Sequence, residues 1–247
     1  MTLDSKTLRT FVIIFQGRCG STYLVEALDA HPEIECTGEK FAALKKQQHN
    51  ANDQLEWAKY HFTTAESPET SEKGFKTKLR DVLDLPGFKK LIQSLNTRVI
   101  HLRRRNVVKL TMSSFNSVRL KHKTGDWNLY KSSEKLSETV VDPETFASWL
   151  GNVEERAVKE LSFVERLELP TLTLFYEEFL GNSTKYFEKI FSFLDLPFYE
   201  VKGNAIKSTS DDLRLAISNF EELKSHYRGT RYEGMFDEVI SSRLGPS

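Results

Sequence analysis

The sequence predicts an α/β fold of three layers, with a central, mainly parallel sheet and helices on both faces. Three observations carry that expectation. Four short apolar runs, residues 11–15, 74–79, 98–102 and 170–175, are rich in β-branched and aromatic residues, as buried parallel strands are. Each run is followed by a stretch of helical periodicity. Strands that alternate with helices join through right-handed crossovers, and ligands of such sheets sit beyond the carboxyl ends of the strands.

Taken in order, the first strand is Phe11-Val-Ile-Ile-Phe15, and the helix after it runs from about 21 to 30, where His31-Pro32 stops it. Further helices are predicted near 39–48, 54–63, 106–121, 143–167, 183–194 and 211–226. The polar, turn-rich stretch 121–141 reads as a mobile surface segment or lid. With no repeat and no linker, residues 1–247 are expected to form one domain.

Composition narrows the function. Lys+Arg and Asp+Glu are both 35, a formal net charge of zero, which argues against a nucleic-acid partner. The apolar run at 11–15 is too short to span a bilayer, and the polar segment before it is not a secretory signal. Cys19 and Cys36 make neither a disulfide framework nor a zinc site. A cytoplasmic location is the expectation. Asn182-Ser-Thr184 matches a glycosylation sequon, read here as chance or as a helix start.

The most informative stretch is FQGRCGSTYL, residues 15–24. Gly17 and Gly20 let the backbone turn so that successive N–H groups converge on an anion at a helix N-terminus. Ser21 and Thr22 add hydroxyl donors and Arg18 a fixed charge; the alternative is a plain strand-to-helix turn. A nucleoside-triphosphatase loop would carry Gly-Lys-[Ser/Thr] and an Asp on a neighbouring strand to hold Mg²⁺. Here the loop is shorter and no lysine follows Gly20. The strand at 98–102 ends instead in Arg103-Arg104-Arg105. Arginines in place of a metal-binding Asp point to an anion neutralised by the protein, with no metal required.

Gly17-Arg18-Cys19-Gly20-Ser21-Thr22 resembles the loop of the sulfotransferases that use 3′-phosphoadenosine-5′-phosphosulfate (PAPS), where it cradles the 5′-phosphosulfate; Cys19 replaces the usual serine. The nodulation-factor, glycolipid and tyrosylprotein types are the most similar. The resemblance implies a P-loop-like fold, PAPS as donor and 3′,5′-adenosine bisphosphate (PAP) as product. The family's second motif, Arg-Asn-Pro with a serine eight residues after the arginine, resembles Arg105-Asn106-Val107 and Ser113. It implies that Arg105 and Ser113 hold the 3′-phosphate. Arg103 and Arg104 alternate in face along the strand, which leaves either as a rival partner.

His31-Pro32 followed by Gly38-Glu39 resembles the family's stretch bearing the general base, which makes Glu39 the candidate. Removal of the acceptor hydroxyl's proton as the new bond forms requires such a carboxylate within hydrogen-bond reach. The alternative is that Glu39 caps the next helix. Glu33 and Glu35 are expected to be exposed. Lys76 and Lys78 share one face of a strand. In the family a lysine there steadies the transferred group, and Lys78 is preferred over Lys76. Tyr176 near the adenine, and Lys207 and Thr209 near the 3′-phosphate, are weaker candidates.

The expected partner is a small-molecule or glycan hydroxyl, carbohydrate or glycolipid first and phenol or tyrosine second. Phe41, Trp57, Tyr60, Trp127 and Tyr130 line either that site or the core. A kinase-like phosphotransferase and a non-catalytic nucleotide-binding protein of the same fold are the rival readings.

Overall fold

A computed structural model describes residues 8–127, 129, 131, 136–204 and 209–240. Its elements run β1 (Arg9–Phe15), α1 (Ser21–Asp29), β2 (Ile34–Thr37), α2 (Lys40–Lys46), α3 (Ala51–Thr63), β3 (Glu72–Thr77), α4 (Leu85–Ser94) and β4 (Arg98–Arg103). There follow α5 (Val107–Thr124), α6 (Pro143–Glu165), β5 (Thr171–Phe175), α7 (Tyr176–Gly181), α8 (Ser183–Phe193), α9 (Phe220–Ser225) and α10 (Glu233–Asp237). The sheet has the order β2-β3-β1-β4-β5, and every pairing is parallel.

β1 lies at the centre of the sheet and is buried on both faces. Its side chains alternate: Phe11, Ile13 and Phe15 pack with Leu24 and Leu28 of α1 and Ile190 and Phe191 of α8. Val12 and Ile14 face Phe62 of α3, Phe88 and Ile92 of α4 and Val164 of α6. A third cluster, with Val108, Met112, Phe146 and Phe236, joins α5 and α6 to the C-terminal segment. Phe11 is paired with Gly74 in the register of β1 and β3. A Cβ at Gly74 would fall 2.5 Å from the Phe11 ring, so only glycine fits beneath it.

The structure departs from the sequence reading in several elements, among them the short helices α7 and α10, which were not expected. β2 was not expected; four residues long with alternating burial, it is too short to stand out as an apolar run. α4, which begins with Leu85, Pro86 and Gly87, was not expected either. They occupy its first turn, where Pro is tolerated, and the Asp84 side chain accepts from the Gly87 N–H at 2.9 Å. The helix expected at 211–226 is broken into a 3-10 turn, Leu213–Leu215, and the short α9. Between them, Ile217 bridges to Thr139, and the Asn219 side chain bonds both backbone groups of Val141. That local competition for the backbone ends the helix.

Glu35 is not exposed as expected. It pairs with Lys73 at 2.5 Å and accepts from the Thr70 hydroxyl and the N–H groups of Glu66 and Ser67. Burial raises its carboxyl, but these donors prevail and hold it at about 2. Glu33 is partly buried and accepts from the Ser71 hydroxyl. Asn182 caps α8 through the Lys185 N–H, the helix-start reading of the sequon. Part of the stretch 121–141, including Tyr130, and also Lys207 lie outside the described residues.

Candidate active site

The loop between β1 and α1 turns through two residues in the left-handed region, Arg18 (φ 70°) and Gly20 (φ 77°). A non-glycine residue held there stores strain of a kind found at functional sites. Gly20 is required twice over, since a Cβ on it would fall 2.9 Å from the Tyr176 ring. Gly20 is the N-cap of α1; no side chain caps this end and no acidic residue sits in its first turn. Its N–H groups and dipole are therefore directed at the cleft above the sheet.

The lysine missing after Gly20 in sequence arrives from β3 in space. Lys76 Nζ donates to Thr22 Oγ1 at 3.0 Å and to Ser21 Oγ at 3.4 Å. Burial lowers its ammonium from the ordinary range, opposed chiefly by Glu39. Lys76 and Lys78 do share a face: their Nζ atoms lie 5.4 and 5.0 Å from the Phe15 ring centroid. Both meet Glu39, Lys78 in direct hydrogen-bonded contact and Lys76 at 3.6 Å. Glu39 stands at the N-cap of α2 yet makes no side-chain capping bond. Burial raises its carboxyl, but Lys78, then Lys76 and Arg80, outweigh that and hold it below the usual range.

The cleft has a volume of about 1580 Å³. Gly17, Arg18, Gly20, Ser21, Thr22, Glu39, Lys78 and Ser113 all line it. Cys19 does not. Its side chain is buried among the core residues beneath the loop, and burial pushes the thiol up, so only its backbone is available to a ligand.

The arginine-tipped strand places its side chains differently from the expectation. Arg105 is 51% exposed, lies 3.8 Å from the Phe175 ring centroid and donates to Glu178 Oε1 at 2.7 Å, outside the cleft. The chain turns there because the Glu177 carboxylate accepts from the backbone N–H groups of Arg105 and Asn106, and Asn106 then caps α5. Arg104 is the arginine that enters the cleft, with its side chain 6% exposed. It lies 5.0 Å over the Tyr176 ring and donates to the Arg18 carbonyl at 3.4 Å. Its buried Nε lies 3.9 Å from Glu177 Oε1, an ion pair beyond hydrogen-bond length, and has no hydrogen-bond partner among the described residues. Arg18 in turn donates from Nε to Ser113 Oγ at 3.3 Å and from Nη1 to the Trp127 carbonyl at 3.0 Å. Burial, then the neighbouring Arg104, lower the Arg18 guanidinium. Two guanidinium groups so placed, one with an unused buried donor, suit a ligand with more than one anionic group.

Comparison with protein families matches residues 9–237 to the sulfotransferase domain. The chain belongs to the sulfotransferase family. Among its relatives, nodulation protein H of Rhizobium tropici is 25% identical over 241 residues, covering 92% of each chain. Among solved structures, the sulfotransferase from Alicyclobacillus acidocaldarius matches with a TM-score of 0.50 at 15% identity, over 95% of this chain and 98% of its own. The sulfotransferase domain from the curacin biosynthetic pathway matches with a TM-score of 0.50 at 13% identity, over 98% and 94% respectively. The parallel five-stranded sheet is thus the P-loop-like fold of sulfotransferases.

Several residues of this sulfotransferase site were not legible in sequence. The role of Lys76 beneath the loop hydroxyls depends on the pairing of β3 with β1. The wall formed by α6, from Trp149 to Arg166, carries no motif. Tyr176 and Thr209 do line the cleft, as does Trp127. Phe41 and Trp57 pack in the core, and Tyr60 is exposed outside the cleft.

Proposed function

We propose that this chain transfers a sulfuryl group from PAPS to a hydroxyl acceptor. The observation that carries the reading is the meeting of two cation-bearing segments on one cleft: Arg18 of the first loop, hydrogen-bonded to Ser113 of α5, with Arg104 bonded to the Arg18 carbonyl. A nucleotide with phosphates at both ends of its ribose fits that pair. The uncapped start of α1, Ser21, Thr22 and Arg18 take the phosphosulfate end. Arg104, with Ser113, takes the 3′-phosphate in place of the expected Arg105.

Bound PAPS supplies the sulfuryl group, and PAP departs. Glu39 accepts the acceptor's hydroxyl proton. Its lowered carboxyl is ionised at neutral pH, ready to take a hydrogen bond. Lys78, in contact with Glu39, turns to an anionic oxygen in the cleft; losing that partner makes Glu39 a stronger base when proton transfer is needed. Lys76 holds the loop hydroxyls. Placement and preorganised charge supply most of the rate, with no covalent intermediate. Carbohydrate or glycolipid hydroxyls are the first acceptors to try, phenols the second.

Titration calorimetry with PAP, followed by turnover of PAPS with a hydroxyl panel in the presence of EDTA, tests the reading. Micromolar PAP binding and EDTA-resistant sulfation are expected. Binding of ATP with Mg²⁺ in preference to PAP, or turnover abolished by EDTA, would overturn it in favour of a kinase-like phosphotransferase.

A further inference from the structure

The second half of the cleft bears on which acceptor the proposed transfer serves. A volume of about 1580 Å³ exceeds the roughly 300–1,000 Å³ of an ordinary small-ligand site, so a sizeable second ligand fits beside a nucleotide. Its long wall is α6. The Val153 carbonyl accepts from Gln16 Nε2 at 2.5 Å, which sets this part of the helix against the anion loop. At the other end, Lys89 and Gln93 of α4 donate to the carbonyls of Arg166 and Leu167, tying the end of α6 to α4.

Basic residues of α6 reach the cleft, although Lys159 Nζ also donates to Glu155 Oε1 at 2.6 Å, an i,i+4 pair on the same side of the helix. All three bases between Pro143 and Arg166, namely Arg156, Lys159 and Arg166, line the cleft. Of the five acids in that span, Glu144, Glu154, Glu155 and Glu165 do not line it. The fifth, Glu160, does line it, buried and held by His101 at 3.1 Å. At about 1.5 Å per residue, the three bases lie roughly 5, 9 and 20 Å beyond Val153 along the helix. Arg80 adds a fourth base to the cleft, while Leu79, Leu85 and Phe163 are half-buried residues packed on the core. Asp81 and Glu160 also line the cleft, yet against them Arg80, Arg156, Lys159 and Arg166 leave a basic excess beside an apolar floor in a chain of zero net charge.

We infer that the acceptor is an elongated, hydroxylated amphiphile carrying a carboxylate or phosphate at the end remote from the reacting hydroxyl. The hydroxyl sits at Glu39, the apolar body on Leu79, Leu85 and Phe163, and the anion on the α6 bases. This inference rests on the sulfuryl-transfer reading. The test is calorimetric binding of three probes to the PAP-loaded protein: ω-hydroxydodecanoate, its methyl ester and ω-hydroxydodecyl phosphate. Both anions are expected to bind at least tenfold tighter than the ester, the tighter of the two identifying the anionic group. R156Q/K159Q, at exposed positions, should bring the anions to the ester's affinity and leave the PAP affinity unchanged. Equal binding of all three probes overturns the acceptor class alone. Loss of PAP affinity in the double variant also overturns it, by giving those bases to the nucleotide. A wild-type chain that fails to bind PAP overturns the sulfuryl-transfer reading and this inference with it.

Discussion

Arg18 Nε donates a hydrogen bond to Ser113 Oγ at 3.3 Å, so the loop after β1 touches the second turn of α5 directly. Residues 95 apart in sequence thus meet at one cleft, and the Arg104 guanidinium joins them by bonding the Arg18 carbonyl.

Arg104→Ala is expected to weaken PAP binding by tenfold or more, since a hydrogen bond to a charged group is worth about 1.5–3 kcal/mol. Arg105→Ala should change it by less than about threefold, because its guanidinium engages Glu178 on the exposed side. Calorimetry on the two variants checks this. The opposite order would restore Arg105 as the phosphate ligand.

Glu39→Gln should lower kcat by about 10²–10⁴ and leave the PAP affinity intact, as loss of a general base does. The pH dependence has a definite sign. Lys78 lowers the Glu39 carboxyl, so the wild-type acid limb of kcat/KM lies below the ordinary carboxylate range. Lys78→Ala removes that partner and should move the limb to higher pH, whatever it does to the rate. An unmoved limb in pH–rate profiles would show that Glu39 is not the titrating base.

Gly20→Ala places a methyl group 2.9 Å from the Tyr176 ring at a φ of 77°. A loss of about 1–3 kcal/mol in stability is expected from such strain, together with weaker PAP binding. Thermal unfolding with and without PAP reads both. A variant as stable as the wild type would show that the loop relaxes freely.

Glu72 lies at the opposite end of the sheet from the cleft, fully buried between Arg9 at 2.5 Å and Arg98 at 3.4 Å. Burial raises its carboxyl to about 7 against the pull of the two arginines, and its Oε2 has no hydrogen-bond partner among the described residues. The folded value exceeds the unfolded one, so the folded state holds the proton more tightly. Its contribution is complete below about pH 4.5 and is lost as pH rises through about 7, by about 3 kcal/mol at most. Glu72→Gln mimics the protonated form. In urea unfolding, the stability of the wild type relative to Glu72→Gln should fall between pH 5 and 8; a constant difference would mean that the arginines keep Glu72 ionised throughout.

The primary sequence was enough for the class of fold, the central strand and the glycine turn that follows it, because each is a local property. Alternation and β-branching define β1, two closely spaced glycines define the turn, and Asn106, Asp142 and Asn182 cap the helices that follow them. It also placed Lys76 and Lys78 on one face, since strand periodicity requires it. It missed β2 and α4, whose short length and N-terminal proline hide the period.

Tertiary structure alone decided which arginine turns inward. Three consecutive arginines are indistinguishable by spacing, and the choice fell to Glu177, which binds the backbone of Arg105 and bends the chain so that Arg104 faces the cleft. The same holds for the contact of Lys76 with Thr22, for the burial of Cys19, and for the α6 bases that reach the cleft. Each depends on segments far apart in the chain brought together by packing of the sheet and its helices, a relation that no local pattern encodes.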